Sequence, residues 1–170
     1  DGTLELSDAA AFGTAGNMNL GDTSILKITA ATNAAAWVPT LTLTGDATIE
    51  VPTAGSEIDT AIDNGGYDLT LIGDESITLS GLISGAGGLT ITMDALTDVV
   101  TLGGANTYTG ITRINAGMLT TAAGAERIAD TSPVNIAGSA ANAGLTIGVS
   151  ETIGSLSGSG NITMAALTLT

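Results

Sequence analysis

At 170 residues and 44% hydrophobic content, the chain is long enough for one domain with a buried core. Seventeen acidic residues against three basic ones (Lys27, Arg113, Arg127) give a formal charge of −14, which favours dispersion and argues against a nucleic-acid partner, because phosphates need lysine and arginine. With no cysteine and no histidine, the chain lacks disulfides, thiolate and imidazole metal ligands, cysteine nucleophiles and histidine acid–base catalysis.

The core material is unusual. Aromatic residues are only 2% of the chain (Phe12, Trp37, Tyr67 and Tyr108), while glycine numbers 24 and Leu, Ile, Val, Ala and Thr dominate. Such a palette suits short strands in thin layers joined by glycine turns better than a thick spherical core. No run of about 18 strongly apolar, uncharged residues occurs, so no membrane-spanning helix is expected. Nothing at Asp1 resembles a signal peptide, and the chain stops at LTLT inside a strand-like run; both features lead to the expectation of a fragment or processed segment.

In chain order, TLELSD (3–8), ILKITA (25–30), TLTLTGDATIEV (40–51), YDLTLIG (67–73), SITLSG (76–81), LTITMD (89–94), TRINAGML (112–119), LTIGVS (145–150) and NITMAALTLT (161–170) alternate apolar residues with Thr or other small or polar ones. This period of two predicts strands with one buried face. Glycine-rich punctuation between them predicts turns. The alanine-rich stretches 9–17 and 30–37 read as irregular corners, the second leading through Trp37 to Val38-Pro39 and a small protruding or shielding element. SEIDTAID (56–63) and AGAERIAD (123–130) are the helical candidates, each read as a short decoration on a connection.

Repetition organises these pieces. ISGAGGLTIT (83–92) aligns without gaps on LSGSGNITMA (156–165), pairing Ile83 with Leu156, Leu89 with Ile162 and Ile91 with Met164. Strand plus turn recurs within larger units of roughly 20–25 residues, which predicts a β-solenoid of about 7 coils stacked at about 4.8 Å. Leu, Ile, Val and Ala would form inward ladders and Thr the outward positions, with Leu102, Ile114 and Leu119 inward and Asn106 and Tyr108 at a corner. An antiparallel β-sandwich competes on strand spacing but normally wants several buried aromatics.

Candidate chemistry is sparse. The carboxylate pairs Asp59/Asp63, Asp74/Glu75 and Asp94/Asp98 are the only residues suggesting glycosidase-type catalysis, and they lack the aromatic platforms that sugar enzymes use. They read as turn or solvent-facing acids, and the chain as no enzyme, with no catalytic, cofactor-binding or metal-binding residue assigned. Calcium is a weaker option: IGDES (72–76) and MDALTD (93–98) can bring two carboxylates together from adjacent coils, but no EF-hand or GGxGxD pattern occurs. LGGAN (102–106) lacks the spacing and the following helix of a phosphate loop.

The stretch TLGGANTYTGITRINAGMLT (101–120) resembles the autotransporter-associated β-strand repeat family, through Leu102, Gly104, Asn106, Thr107, Tyr108, Gly110, Thr112, Ile114, Asn115, Gly117 and Leu119. Arg113 departs from the threonine common there. The resemblance continues through Asp130, Ser132, Pro133 and Val134, and through Glu151, Ile153, Gly154, Leu156, Gly158 and Gly160. It covers residues 69–170, with 1–68 a less regular part of the same single segment. It implies an all-β, right-handed parallel β-helix serving as a spacer or scaffold in a secreted or surface-exposed bacterial adhesin, outside the cell. The partners expected are further repeats or neighbouring subunits at the solenoid ends, with a host-cell or matrix surface as a further option and with no membrane insertion by this segment. A filament or sheath subunit and a carbohydrate-binding or polysaccharide-active β-helix are the alternatives.

Overall fold

The computed structural model describes residues 2–7, 16–29, 40–124, 126–148, 150–164 and 170. Phe12, Trp37, Val38-Pro39 and nearly all of the two alanine-rich stretches lie outside the described residues. The strands are β1 (Thr3–Leu6), β2 (Met18–Leu20), β3 (Ser24–Ile28), β4 (Thr40–Leu43), β5 (Ala47–Val51), β6 (Ser56–Ile58), β7 (Ala61–Asp63) and β8 (Leu69–Gly73). They continue as β9 (Ile77–Leu79), β10 (Ile83–Ser84), β11 (Leu89–Met93), β12 (Val99–Leu102), β13 (Thr112–Thr121), β14 (Pro133–Ile147) and β15 (Ser155–Met164).

Every strand pairing among the described residues is parallel. The chain therefore winds as a parallel β-solenoid, and the antiparallel sandwich is excluded. Face one stacks β1, β3, β5, β8, β11 and the first halves of β13, β14 and β15. Face two stacks β6, β9, β12 and the second halves of those three long strands. Face three holds β2, β4, β7 and β10. The long strands run around the corner between faces one and two, with register shifts at the bend, and so join these faces into one eleven-stranded sheet.

The alternation in the sequence becomes columns. On face one, Leu4, Leu26, Ile49, Leu71, Ile91, Ile114, Ile136 and Gly158 stand in register, each step advancing the chain by 20 to 23 residues. From Leu26 to Ile136 this column is buried. Face two contributes Ile77, Val100, Leu119, Leu145 and Ile162 in one column and Ile58, Leu79, Leu102, Thr121, Ile147 and Met164 in the next. Leu102, Ile114 and Leu119 are fully buried, as expected. Each such aliphatic side chain is worth about 1.5–3 kcal/mol when fully buried, so the core is assembled in thin increments coil by coil.

Three expectations need correction. SEIDTAID forms β6 and β7, with Ile58 and Ile62 pointing into the core four residues apart because the chain turns a corner between them. AGAERIAD contains no helix among its described residues, and Ile128 within it is buried. The two aligned decapeptides do not stack: 83–92 runs from face three to face one, whereas 156–164 runs from face one to face two. Their likeness reflects a shared strand–corner–strand pattern and not the coil register.

Candidate functional site

The side chains with the richest chemistry lie inside the solenoid and bind one coil to the next. Asn64 is fully buried in the corner after β7; its Nδ2 donates to the Gly87 carbonyl at 2.9 Å, and its Oδ1 accepts from the Gly87 N–H at 3.1 Å. Asn106 reaches in both directions. Its Oδ1 accepts from the Ile83 N–H of the preceding coil at 2.8 Å, and its Nδ2 donates to the Arg127 carbonyl of the following one at 2.6 Å. Glu151 repeats the device: its carboxylate accepts from Arg127 N–H (2.8 and 3.0 Å) and Ile128 N–H (3.2 Å). These side chains satisfy backbone groups where face three lacks a regular ladder, groups that would otherwise be left buried and unpaired. Burial pushes the Glu151 carboxyl above the usual carboxylate range, against the opposing effect of its backbone N–H partners.

Tyr108 occupies the core and does not cover a corner. It is the largest fully buried side chain among the described residues. Its hydroxyl lies 2.7 Å from Thr112 Oγ1, which lies 3.0 Å from Ser132 Oγ, and Ser132 Oγ donates to the Gly110 carbonyl at 2.8 Å. Thr112 takes a position that Leu69 and Leu89 fill in the two preceding coils, so the inward column carries a hydroxyl where the phenol needs a partner. Burial pushes the Tyr108 phenol up to about 12. Thr112 and Thr121 both point inward, which departs from the expectation that threonine faces solvent.

Two of the acidic candidates cap turns. Asp63 Oδ1 accepts from Gly65 N–H at 2.9 Å, and Asp98 Oδ2 accepts from Ala95 N–H at 2.8 Å, closing the turn before β12. Burial raises the Asp59 carboxyl above its ordinary value. Asp74 and Asp94 lie on adjacent coils: the Asp94 N–H donates to Gly73 C=O at 2.9 Å, and both residues line a shallow groove with Glu50, Pro52, Ile72 and Gly73. Glu50 is held there by Lys27 Nζ at 2.7 Å. Among the described residues, no three acids converge in a way that holds a metal ion.

The buried Asn64 and Ser132 were not singled out for these roles by local sequence. The signal that finds them is separation: Asn64 to Gly87, Asn106 to Ile83 and Glu151 to Ile128 each span 23 residues, one coil. Outside, the middle column of face two reads Glu57, Thr78, Thr101, Thr120, Thr146 and Thr163.

The fold and the inward use of its polar groups define the chain as a β-solenoid, consistent with a structural or scaffolding role. No protein-family model, no curated protein and no solved structure matches it. No helix among the described residues is long and apolar enough to cross a membrane.

Proposed function

We propose that the chain is a structural segment, a spacer or scaffold, of a secreted or surface-exposed bacterial protein of the autotransporter type, and that it performs no catalysis. One observation carries the structural reading: Asn64, Asn106, Tyr108, Thr112, Ser132 and Glu151 all spend their hydrogen-bonding capacity on neighbouring strands and corners. The surface and autotransporter parts are supported by the motif residues between Leu102 and Leu119, whose pattern of inward Leu102, Tyr108, Ile114 and Leu119 with Asn106 bridging adjacent coils gives the repeat a structural reason.

The test is exchange in the parent surface protein. Replacing this segment by an unrelated β-solenoid of equal coil number should preserve display and activity of the flanking parts, and adding one coil should move them outward by about 4.8 Å. Loss of activity on exchange at equal length would instead assign the segment a binding surface of its own.

A further inference from the structure

We infer that Asn64-Gly65 is a latent deamidation site, kept silent by the coil stacked against it and converted only when that coil lifts away. Of the asparagines in the chain, Asn64 alone is followed by glycine. Such a pair is the most prone to self-modification, because glycine carries no side chain to hinder attack by its nitrogen on the preceding amide. Loss of the Gly65 N–H proton to solvent hydroxide lets that nitrogen attack Asn64 Cγ. The new bond joins nitrogen to Cγ, the Cγ–Nδ2 bond breaks, and Nδ2 takes a proton from water and leaves as ammonia. A second water opens the resulting cyclic imide at either carbonyl, giving aspartate or isoaspartate.

The fold occupies every group that this reaction needs. The Asn64 amide is clasped at two points by Gly87, Nδ2 donating to its carbonyl at 2.9 Å and Oδ1 accepting from its N–H at 3.1 Å. Cγ is thereby kept from swinging over the Gly65 nitrogen. The nucleophile is tied as well: the Gly65 N–H donates to Asp63 Oδ1 at 2.9 Å, and a carboxylate there opposes loss of the proton. Around the pair, the Asn64 N–H donates to the Ser84 carbonyl at 2.8 Å, and the Ala86 N–H donates to the Gly65 carbonyl. A Cβ on Gly85 would collide with both Asn64 Oδ1 and Gly65 N, so the following coil lies directly on the reactive peptide. Water is close by, since Gly65 and Gly66 are exposed. Release of the clasp is the one step the stacked coil withholds.

Conversion is one-way for the coil. Aspartate at position 64 has no N–H to offer the Gly87 carbonyl, and it brings a charge into a site fully shielded from water. Isoaspartate routes the main chain through the former side chain, which lengthens the corner between β7 and β8. Either product adds a negative charge to a chain already at −14. A coil held open long enough is thereby marked, and it restacks less well than before. Asn106 makes a similar bridge between coils, but it is followed by Thr107, whose branched side chain hinders the same attack.

The test is incubation of the full chain at mildly alkaline pH, in native buffer and in guanidinium chloride, with peptide mass mapping of position 64 over time. Asn64 should convert first among the asparagines in denaturant, and at least about tenfold more slowly in native buffer. Hydrogen exchange of the Gly87 amide, which donates to Asn64 Oδ1, reports the same opening. Across sub-denaturing guanidinium the two rates should rise together. Once denaturant is removed, chains converted at position 64 should exchange the Gly87 amide at least about tenfold faster than unconverted ones. No conversion in guanidinium would overturn the site. Conversion in native buffer while the Gly87 amide stays protected would overturn the gating, and equal Gly87 protection in converted and unconverted chains would overturn the one-way consequence.

Discussion

Removing the hydroxyls of Tyr108 and Thr112 one at a time and then together tests whether the buried chain of hydroxyls is a unit. Tyr108→Phe deletes one hydrogen bond and leaves Thr112 Oγ1 with Ser132 Oγ as partner at 3.0 Å; the expected cost is about 0.5–1.5 kcal/mol. Thr112→Val keeps the shape of the side chain but leaves the phenol, fully shielded from water, without the partner it has at 2.7 Å. Stranding a buried donor costs about 1–3 kcal/mol. In the double variant the stranded phenol is gone, so Thr112→Val becomes cheaper in the presence of Tyr108→Phe by about 1 kcal/mol. Urea unfolding followed by circular dichroism, with equal slopes across the four proteins, gives the four stabilities. Costs that add to within about 0.3 kcal/mol would refute the reasoning and place the two hydroxyls in separate environments.

The same phenol sets an alkaline limit. Below about pH 10 it is neutral in both the folded and unfolded chain; as pH rises toward 12 only the unfolded chain ionises, so melting temperatures of the parent should fall faster than those of Tyr108→Phe across this window. Glu151 works at the acid side: with its folded pKa raised, its favourable contribution is complete below the ordinary carboxylate value and is lost as pH climbs through the folded one. Glu151→Gln should therefore gain stability relative to the parent between pH 4 and neutrality, whereas Glu151→Ala, which strands the Arg127 and Ile128 N–H groups, should lose about 1–3 kcal/mol in thermal or urea melts. Gly87→Ala drives a Cβ into the Tyr67 backbone carbonyl of the preceding coil and should cost about 1–3 kcal/mol, while Gly66→Ala, with nothing within 4 Å, should be close to neutral by the same melts. Calcium and chelator should give the same melting temperature; a rise of several degrees with calcium would assign the Asp74–Asp94 groove a ligand.

Much of the fold could be read from alternation, because a strand that buries one face leaves its mark residue by residue. Leu102, Ile114 and Leu119 are inward for that reason. The coil register was less legible. Any strand–corner–strand piece resembles any other in a chain built from Thr, Leu, Ile and Gly, and the aligned decapeptides therefore landed on different faces. SEIDTAID misleads because an Ile–Ile spacing of four fits a helix turn as well as two short strands around a corner. The interior polar network was hidden for a different reason: Thr112 needs Ser132, and Asn64 needs Gly87, partners that become neighbours only once the coil length is known. Asp74 and Asp94 fall on adjacent coils because the Gly73 and Met93 ends of their strands pair in register, whereas the sequence shows only two acidic turns.

The coil geometry has a mechanical side. Along the axis each coil adds about 4.8 Å, yet the 20-odd residues within it extend to roughly 70 Å when drawn out. Among the described residues the longest side-chain hydrogen bond spans 28 positions, so a coil released from one end takes few contacts beyond its neighbour with it. Under tension such a rod yields one loop of slack at a time. It is stiff at small loads, and at large ones it extends many times its resting length before the last coil parts.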